Sequence, residues 1–163
     1  MSKEKFPVTP AIRFLRDRKV AFTEHLYAYE ERGGTAISSR RLGLDEHAVI
    51  KTLVMEDEAD KPLVVLMHGD CEVSTRELAR VLGTRNVRPC NLEAANRHTG
   101  YLVGGTSPFG MKKTLPVCME RSILALDKIY INGGKRGFLV GIDPRAVEKL
   151  LGATLVEVGI KKC

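Results

Sequence analysis

Apolar residues first recur at helical spacing after Thr9-Pro10, where Ala11, Ile12, Phe14 and Leu15 share one face. Threonine at the cap and proline in the first turn predict a helix ending near Lys19. Alternation then sets Phe22, Glu24, Leu26 and Ala28 against Ala21, Thr23, His25, Tyr27 and Tyr29, which predicts a strand over Val20 to Tyr29. Arg32-Gly33-Gly34 reads as a connection, and Thr35 to Leu42 as a short helix closed by Gly43. Ala48 to Glu56 is apolar enough for a buried strand. Asp57 to Pro62 is a polar turn, and Leu63 to His68 is the returning strand of a hairpin.

In the second half, Ser74 with Glu77 three positions later has the capping-box pattern, and its helix stops at Gly83. Val87 begins a brief strand, Asn91 caps a helix through Arg97, and Tyr101 to Val103 is a short strand running into a glycine-rich loop. Leu115 to Met119, Lys128 to Asn132 and Gly137 to Ile142 read as strands, with Gly133-Gly134 as a turn. Asp143-Pro144 caps a helix through Leu151, Gly152 ends it, and Thr154 to Val158 is a last strand. About seven strands and four or five helices, not strictly alternating, indicate an α+β or mixed α/β domain. Gly104-Gly105 lacks the Gly-x-Gly-x-x-Gly spacing of a dinucleotide site, and the phosphate-loop pattern is absent.

Composition adds little to this pattern except in charge. Apolar content of 44% and charged content of 28% are ordinary, no linker divides the chain, and residues 1 to 163 read as a single domain. No apolar run has the length of a membrane span, and Met1-Ser2-Lys3-Glu4-Lys5 lacks the apolar segment of a signal peptide, so a cytoplasmic protein is expected. A formal net charge of +6 favours a polyanionic partner, while 6% aromatic residues argue against an extended base-stacking platform. Cys71, Cys90, Cys118 and Cys163 are scattered, as are His25, His47, His68 and His98. Reduced thiols and no metal site are expected.

Two stretches can carry chemistry. If Val49 to Met55 is a strand, Lys51 shares an apolar face with Val49, Leu53 and Met55, where a lysine must reach water, lose its charge or meet an anion. The loop within Gly100 to Lys113 combines glycines with Pro108 and can hold peptide groups still beside a ligand. Lys112, Lys113, Lys135 and Arg136 flank glycine-rich turns and suit phosphate contacts; a solvated face explains them equally well. No Ser/His/Asp or Cys/His arrangement can be assembled.

This loop, Val49-Ile50-Lys51-Thr52-Leu53-Val54 and Ile131-Asn132-Gly133-Gly134-Lys135-Arg136-Gly137 together resemble the signature of the YbaK/EbsC family. The likeness runs from Thr9-Pro10-Ala11 to Gly152-Ala153-Thr154. Members are aminoacyl-tRNA deacylases related to the editing domain of bacterial prolyl-tRNA synthetase. The resemblance implies a mixed, curled sheet with a barrel-like core surrounded by helices. It implies that Lys51 holds the substrate's terminal phosphate or polarises its ester carbonyl, and that the backbone of Gly104, Gly105, Thr106, Ser107 and Pro108 positions the ester. Tyr27 matches a pocket tyrosine; Thr52, which faces away from Lys51 in a regular strand, is at best a second contact through its backbone or a local bend. The compact segment around Gly34, within Glu30 to Thr35, departs from the family pattern and puts amino-acid specificity in doubt.

The nucleophile is then a water or, for a cysteinyl substrate, the substrate's own thiol, and no cofactor is needed. The implied activity is a free-standing trans-editing enzyme for Cys-tRNA(Pro) that grips the acceptor end of the tRNA, alone or docked on prolyl-tRNA synthetase. Alternatives are a deacylase for another small group such as Ala-tRNA(Pro), a non-catalytic tRNA- or synthetase-binding module, and a small nucleotide-binding protein.

Overall fold

A computed structural model of the chain describes residues 5–161. Met1 to Glu4, most of the stretch read above for a signal peptide, lie outside the described residues, as does Cys163. Among the described residues there are ten strands and five α-helices.

The chain begins with α1 (Pro10–Asp17), where Thr9 accepts a hydrogen bond from the Ile12 amide at 3.1 Å, and Ala11, Ile12 and Leu15 are buried. The next strand is shorter than its alternation suggested. Lys19 takes φ 55 to turn the chain, the Val20 amide bonds back to Leu15, and β1 covers only Thr23–Leu26. Helix α2 (Gly34–Leu42) ends on Gly43 in the left-handed region, and a 3-10 turn at Glu46–Ala48 leads into β2 (Val49–Asp57). β2 forms the expected antiparallel hairpin with β3 (Pro62–His68). Then follow β4 (Cys71–Val73), α3 (Thr75–Leu82), β5 (Val87–Pro89) and α4 (Leu92–Thr99). Ser74 accepts from the Glu77 amide and Asn91 from the Ala94 amide, but the capping box of α3 closes only on the serine side: the Ser74 amide donates to the Val158 carbonyl at 2.8 Å, and the Glu77 carboxylate accepts from Arg80 instead.

Tyr101 to Val103 is not a strand. Its backbone is satisfied locally instead: the Tyr101 amide donates to the Thr99 hydroxyl, the Val103 amide to the Asn96 side chain at 3.0 Å, and the Gly105 amide to the Leu102 carbonyl at 2.8 Å. The chain continues through β6 (Val117–Glu120), β7 (Ile129–Lys135), β8 (Phe138–Ile142), α5 (Pro144–Leu151), β9 (Thr154–Val156) and β10 (Gly159–Lys161).

Gly133-Gly134 is likewise not a turn; both residues belong to β7, at a register shift between Asn132 and Lys135, and the turn is formed by Arg136-Gly137. Asn132 closes this bulge by accepting from the amides of Gly134 (2.7 Å) and Lys135 (3.1 Å). Side chains are excluded there because a Cβ on Gly133 would lie 2.6 Å from the Phe138 ring, and one on Gly134 2.8 Å from Tyr101.

The main sheet is mixed, ordered β1-β8-β7-β2-β3-β6-β9 with β5 on β2. β2 runs parallel to β7, and β6 parallel to both β3 and β9. A separate pair, β4 with β10, was not anticipated; three residues each carry too little alternation to read. Period-two burial along β3 splits the core: Val64 and Leu66 join α1 on one face, while Val65 and Met67 join Leu78 of α3 on the other. No helix among the described residues is long and apolar enough to cross a membrane.

Candidate functional site

Strand β2 lies mid-sheet, and its partly buried centre forms the wall of a cavity of about 710 Å³. That volume falls within the ordinary range for small-ligand sites. Tyr27 and Tyr29 reach it from the end of β1, Gly34 and Thr35 from α2, Val103, Gly104 and Thr106 from the glycine-rich loop, and Asn132 and Arg136 from the β7–β8 hairpin. Lys51 and Thr52 both line it.

Lys51 pairs across the hairpin with Met67 and shares its strand face with Met55, part of the smaller core cluster, and Leu53, which packs against it. Its ammonium group donates to the Cys71 carbonyl at the start of β4. An amine on an apolar face thus has a fixed backbone acceptor beside a cavity. Thr52, on the opposite face, buries a hydroxyl that has no hydrogen-bond partner among the described residues.

The loop is built into the hairpin. Asn132 donates to the Gly104 carbonyl at 3.2 Å, and Arg136 Nε donates to the Val103 carbonyl at 3.0 Å. Gly104 is exposed with φ 94; a Cβ there would lie 2.7 Å from the Tyr29 hydroxyl and 3.2 Å from Arg136 Nε. Glycine is required by both conformation and space. The same side chain of Asn132 therefore closes the β7 bulge and fixes the loop.

The candidate residues divide accordingly. Lys51, Thr52, Tyr27, Gly34, Gly104, Thr106 and Arg136 come together around the cavity. Gly105, Ser107 and Pro108 are buried and do not line it: the Gly105 amide is engaged in the turn, and Ser107 accepts from the Phe109 amide at 3.2 Å. Lys113 and Lys135 are exposed and lie outside the lining, with Lys113 3.4 Å from a ring nitrogen of His98. Asn132, Tyr29 and Cys90 line the cavity without having been singled out from the sequence. For Asn132 a signal existed, an Asn directly before a glycine pair; the cavity role of Cys90 depends on tertiary placement alone.

Burial decides the ionisation of the groups that titrate here. It pushes the Tyr27 phenol up, with Tyr29 adding to the effect against the bond to Gly137, so the phenol is neutral at pH 7. Burial likewise raises the thiols of Cys90, Cys71 and Cys118, with Glu56 adding to it at Cys90 and Asp70 at Cys71. These three cysteines are free and stay in the weakly nucleophilic thiol form. Among the described residues the cavity lining offers cations, backbone groups and the neutral Tyr27 phenol, and its cysteine, Cys90, is held as a thiol.

Comparison with known proteins gives this arrangement a context. The model of the aminoacyl-tRNA editing domain family matches residues 34–150. EbsC of Enterococcus faecalis, a proposed Cys-tRNA(Pro)/Cys-tRNA(Cys) deacylase, is 30% identical over 155 residues, covering 94% of each chain. A proline–tRNA ligase of Brachyspira hyodysenteriae is 29% identical over 86 residues, 53% of this chain and 15% of that enzyme. The fold matches the crystal structure of a proposed trans-editing enzyme for prolyl tRNA synthetase with a TM-score of 0.80 at 21% identity, covering 96% of this chain and all of that one (100%).

Proposed function

Since this chain belongs to the aminoacyl-tRNA editing domain family, we propose that it acts in trans on Cys-tRNA(Pro) and cleaves the ester joining cysteine to the tRNA. The observation that carries this reading is the meeting of Lys51, Gly104 and Tyr27, from three separate parts of the chain, around one cavity of about 710 Å³. An aminoacyl ester is already activated, so its cleavage needs a placed nucleophile and a stabilised oxyanion more than an enzyme-borne nucleophile.

In this reading Lys51, steadied by the Cys71 carbonyl, presents its ammonium group to the ester carbonyl or the terminal phosphate. The backbone at Gly104, pinned by Asn132, fixes the position of the ester. Arg136, whose Nε is committed to Val103, has its remaining guanidinium N–H groups for phosphate. The attacking group is the substrate's own thiol, which closes on the carbonyl while its proton goes to the departing ribose oxygen, or a water. The protonated thiols of Cys71, Cys90 and Cys118 speak against an enzyme-borne nucleophile. The tRNA's acceptor end is the partner surface, and prolyl-tRNA synthetase is the proposed source of tRNA selection.

The test is the deacylation rate on cysteinyl-, alanyl-, seryl- and prolyl-tRNA(Pro), with Lys51→Ala beside the wild type. Selective loss of cysteine is expected, falling about 10²–10³-fold in Lys51→Ala, the usual effect of removing one oxyanion-stabilising group. Faster loss of alanine would reassign the substrate to Ala-tRNA(Pro). Acceleration of none, in folded protein, would favour a binding module.

A further inference from the structure

The cysteines and histidines are dispersed in sequence, yet the fold gathers three chemically different donors outside the cavity. His47 stands in the 3-10 turn before β2, and Asp70 and Cys71 at the turn from β3 into β4; one ligand atom from each lies within 4.8 Å of the others. His47 Nδ1 is 2.8 Å from Asp70 Oδ1, and the Cys71 thiol donates to the same oxygen at 3.5 Å. We propose that His47, Asp70 and Cys71 form a binding site for a divalent transition metal of the zinc type, with the fourth position open to water.

Donor chemistry selects the ion. Imidazole, carboxylate and thiolate together suit zinc, whereas magnesium and calcium take oxygen ligands. Ligands about 2.0–2.3 Å from a tetrahedral ion sit roughly 3.3–3.7 Å from one another. The observed 2.8 and 3.5 Å lie within about half an ångström of these separations, and the remaining imidazole–thiol pair lies within 4.8 Å. Binding transfers the Cys71 proton to solvent and leaves the remaining imidazole proton of His47 on Nε2. The thiolate and carboxylate then cancel the charge of the dication.

The surroundings preorganise the donors. The His47 ring stacks on His68 at 3.6 Å between centroids and 6° between planes. His68 is itself pinned, donating from Nδ1 to the His47 carbonyl at 2.7 Å and accepting from Ser122 at Nε2 at 2.8 Å. Across the turn, Thr35 donates to Glu46 and to the Gly69 carbonyl, and the Gly69 amide donates to Val49 at 2.7 Å. A Cβ on Gly69 would lie 2.7 Å from three oxygens, so the turn is closed around this glycine. Partial exposure of His47 and Asp70, 39% and 29% of their side chains, leaves an entry path from solvent. Because the Cys71 carbonyl accepts from Lys51, an ion here would brace the residue that anchors that lysine.

Cadmium is the probe for the site, since its thiolate complexes absorb in the ultraviolet. In the full chain the absorption should saturate at a single equivalent, vanish in Cys71→Ser, and require at least the roughly 10–100-fold more Cd²⁺ that loss of an outer partner costs in His47→Ala or Asp70→Asn, which remove direct ligands. Added Zn²⁺ should raise the unfolding midpoint of the wild type at concentrations that leave those variants unmoved. The partly exposed His47 and Asp70 keep the test decisive even where Cys71→Ser folds poorly. Absence of the absorption in wild type, its persistence in Cys71→Ser, or unchanged titrations in both His47→Ala and Asp70→Asn would overturn the site.

Discussion

Thr52 buries a hydroxyl without a hydrogen-bond partner among the described residues in the wall of the cavity, an arrangement that works against stability. Replacing it by valine, nearly the same shape, should leave stability unchanged or raise it by about 1 kcal/mol. If the hydroxyl is reserved for the substrate, turnover should fall about tenfold, the equivalent of one hydrogen bond. Denaturant unfolding and deacylation kinetics on the same preparation check this, and unaltered kinetics would remove Thr52 from the site. Gly104 makes the opposite prediction. With φ 94 and the Tyr29 hydroxyl 2.7 Å from an added Cβ, Gly104→Ala should lose roughly 1–2 kcal/mol in backbone strain. Displacement of the loop should lower kcat/KM about a hundredfold. A variant with its melting midpoint lowered but its kinetics intact would show that the glycine serves the fold alone.

At the scale of elements, what the sequence made legible follows from how local each signal is. The caps of α1, α3, α4 and α5 are set by residues within three positions of each other, and in all four the cap side chain accepts a first-turn amide, although at α3 the Ser74 amide is taken by the distant Val158 carbonyl and not by Glu77. The β2–β3 hairpin was equally plain, and with it the apolar face carrying Lys51. Gly133-Gly134 was misread because glycine pairs favour turns, whereas here Phe138 and Tyr101 leave no room for side chains beside a bulge. The anchor of Lys51, a carbonyl twenty positions away, leaves no trace in local pattern. The edge strand β1 offers a pH test of its own. Burial and then Lys128 hold His25 below its ordinary value, so the unfolded chain takes up a proton more readily than the folded one. Its contribution is complete above pH 6.5, the unfolded value, and is lost as pH falls through the lower folded value. Melting midpoints between about pH 5 and 8 should fall less steeply in His25→Asn than in wild type. The difference should be modest because the ring is only partly buried, and parallel curves would refute it. His68 and His98 carry the same sign, which is why the variant is needed to isolate His25.

For the molecule as a whole, a net charge of +6 becomes informative once its cations are placed. Arg136 lines the cavity, while Lys135 beside it on the hairpin and Lys113 beyond the glycine-rich loop are exposed outside it. If the acceptor end of a tRNA enters with its ester toward Lys51, its last phosphates pass these three groups. Each neutralised phosphate of a single strand contributes about −0.7 to the slope of log affinity against log salt, so three contacts give a slope of about −2. Arg136→Ala should then reduce the slope by about 0.7 and weaken binding at low salt, whichever amino acid the tRNA carries. Lys51→Ala separates two roles for the lysine: contact with the terminal phosphate lowers the slope as Arg136→Ala does, whereas contact with the ester carbonyl lowers turnover and leaves the slope intact. Binding measured across a salt series on uncharged and cysteinyl tRNA distinguishes them. A slope near zero for wild type would show that the basic surface is a solvated face, and that recognition rests on the cavity alone.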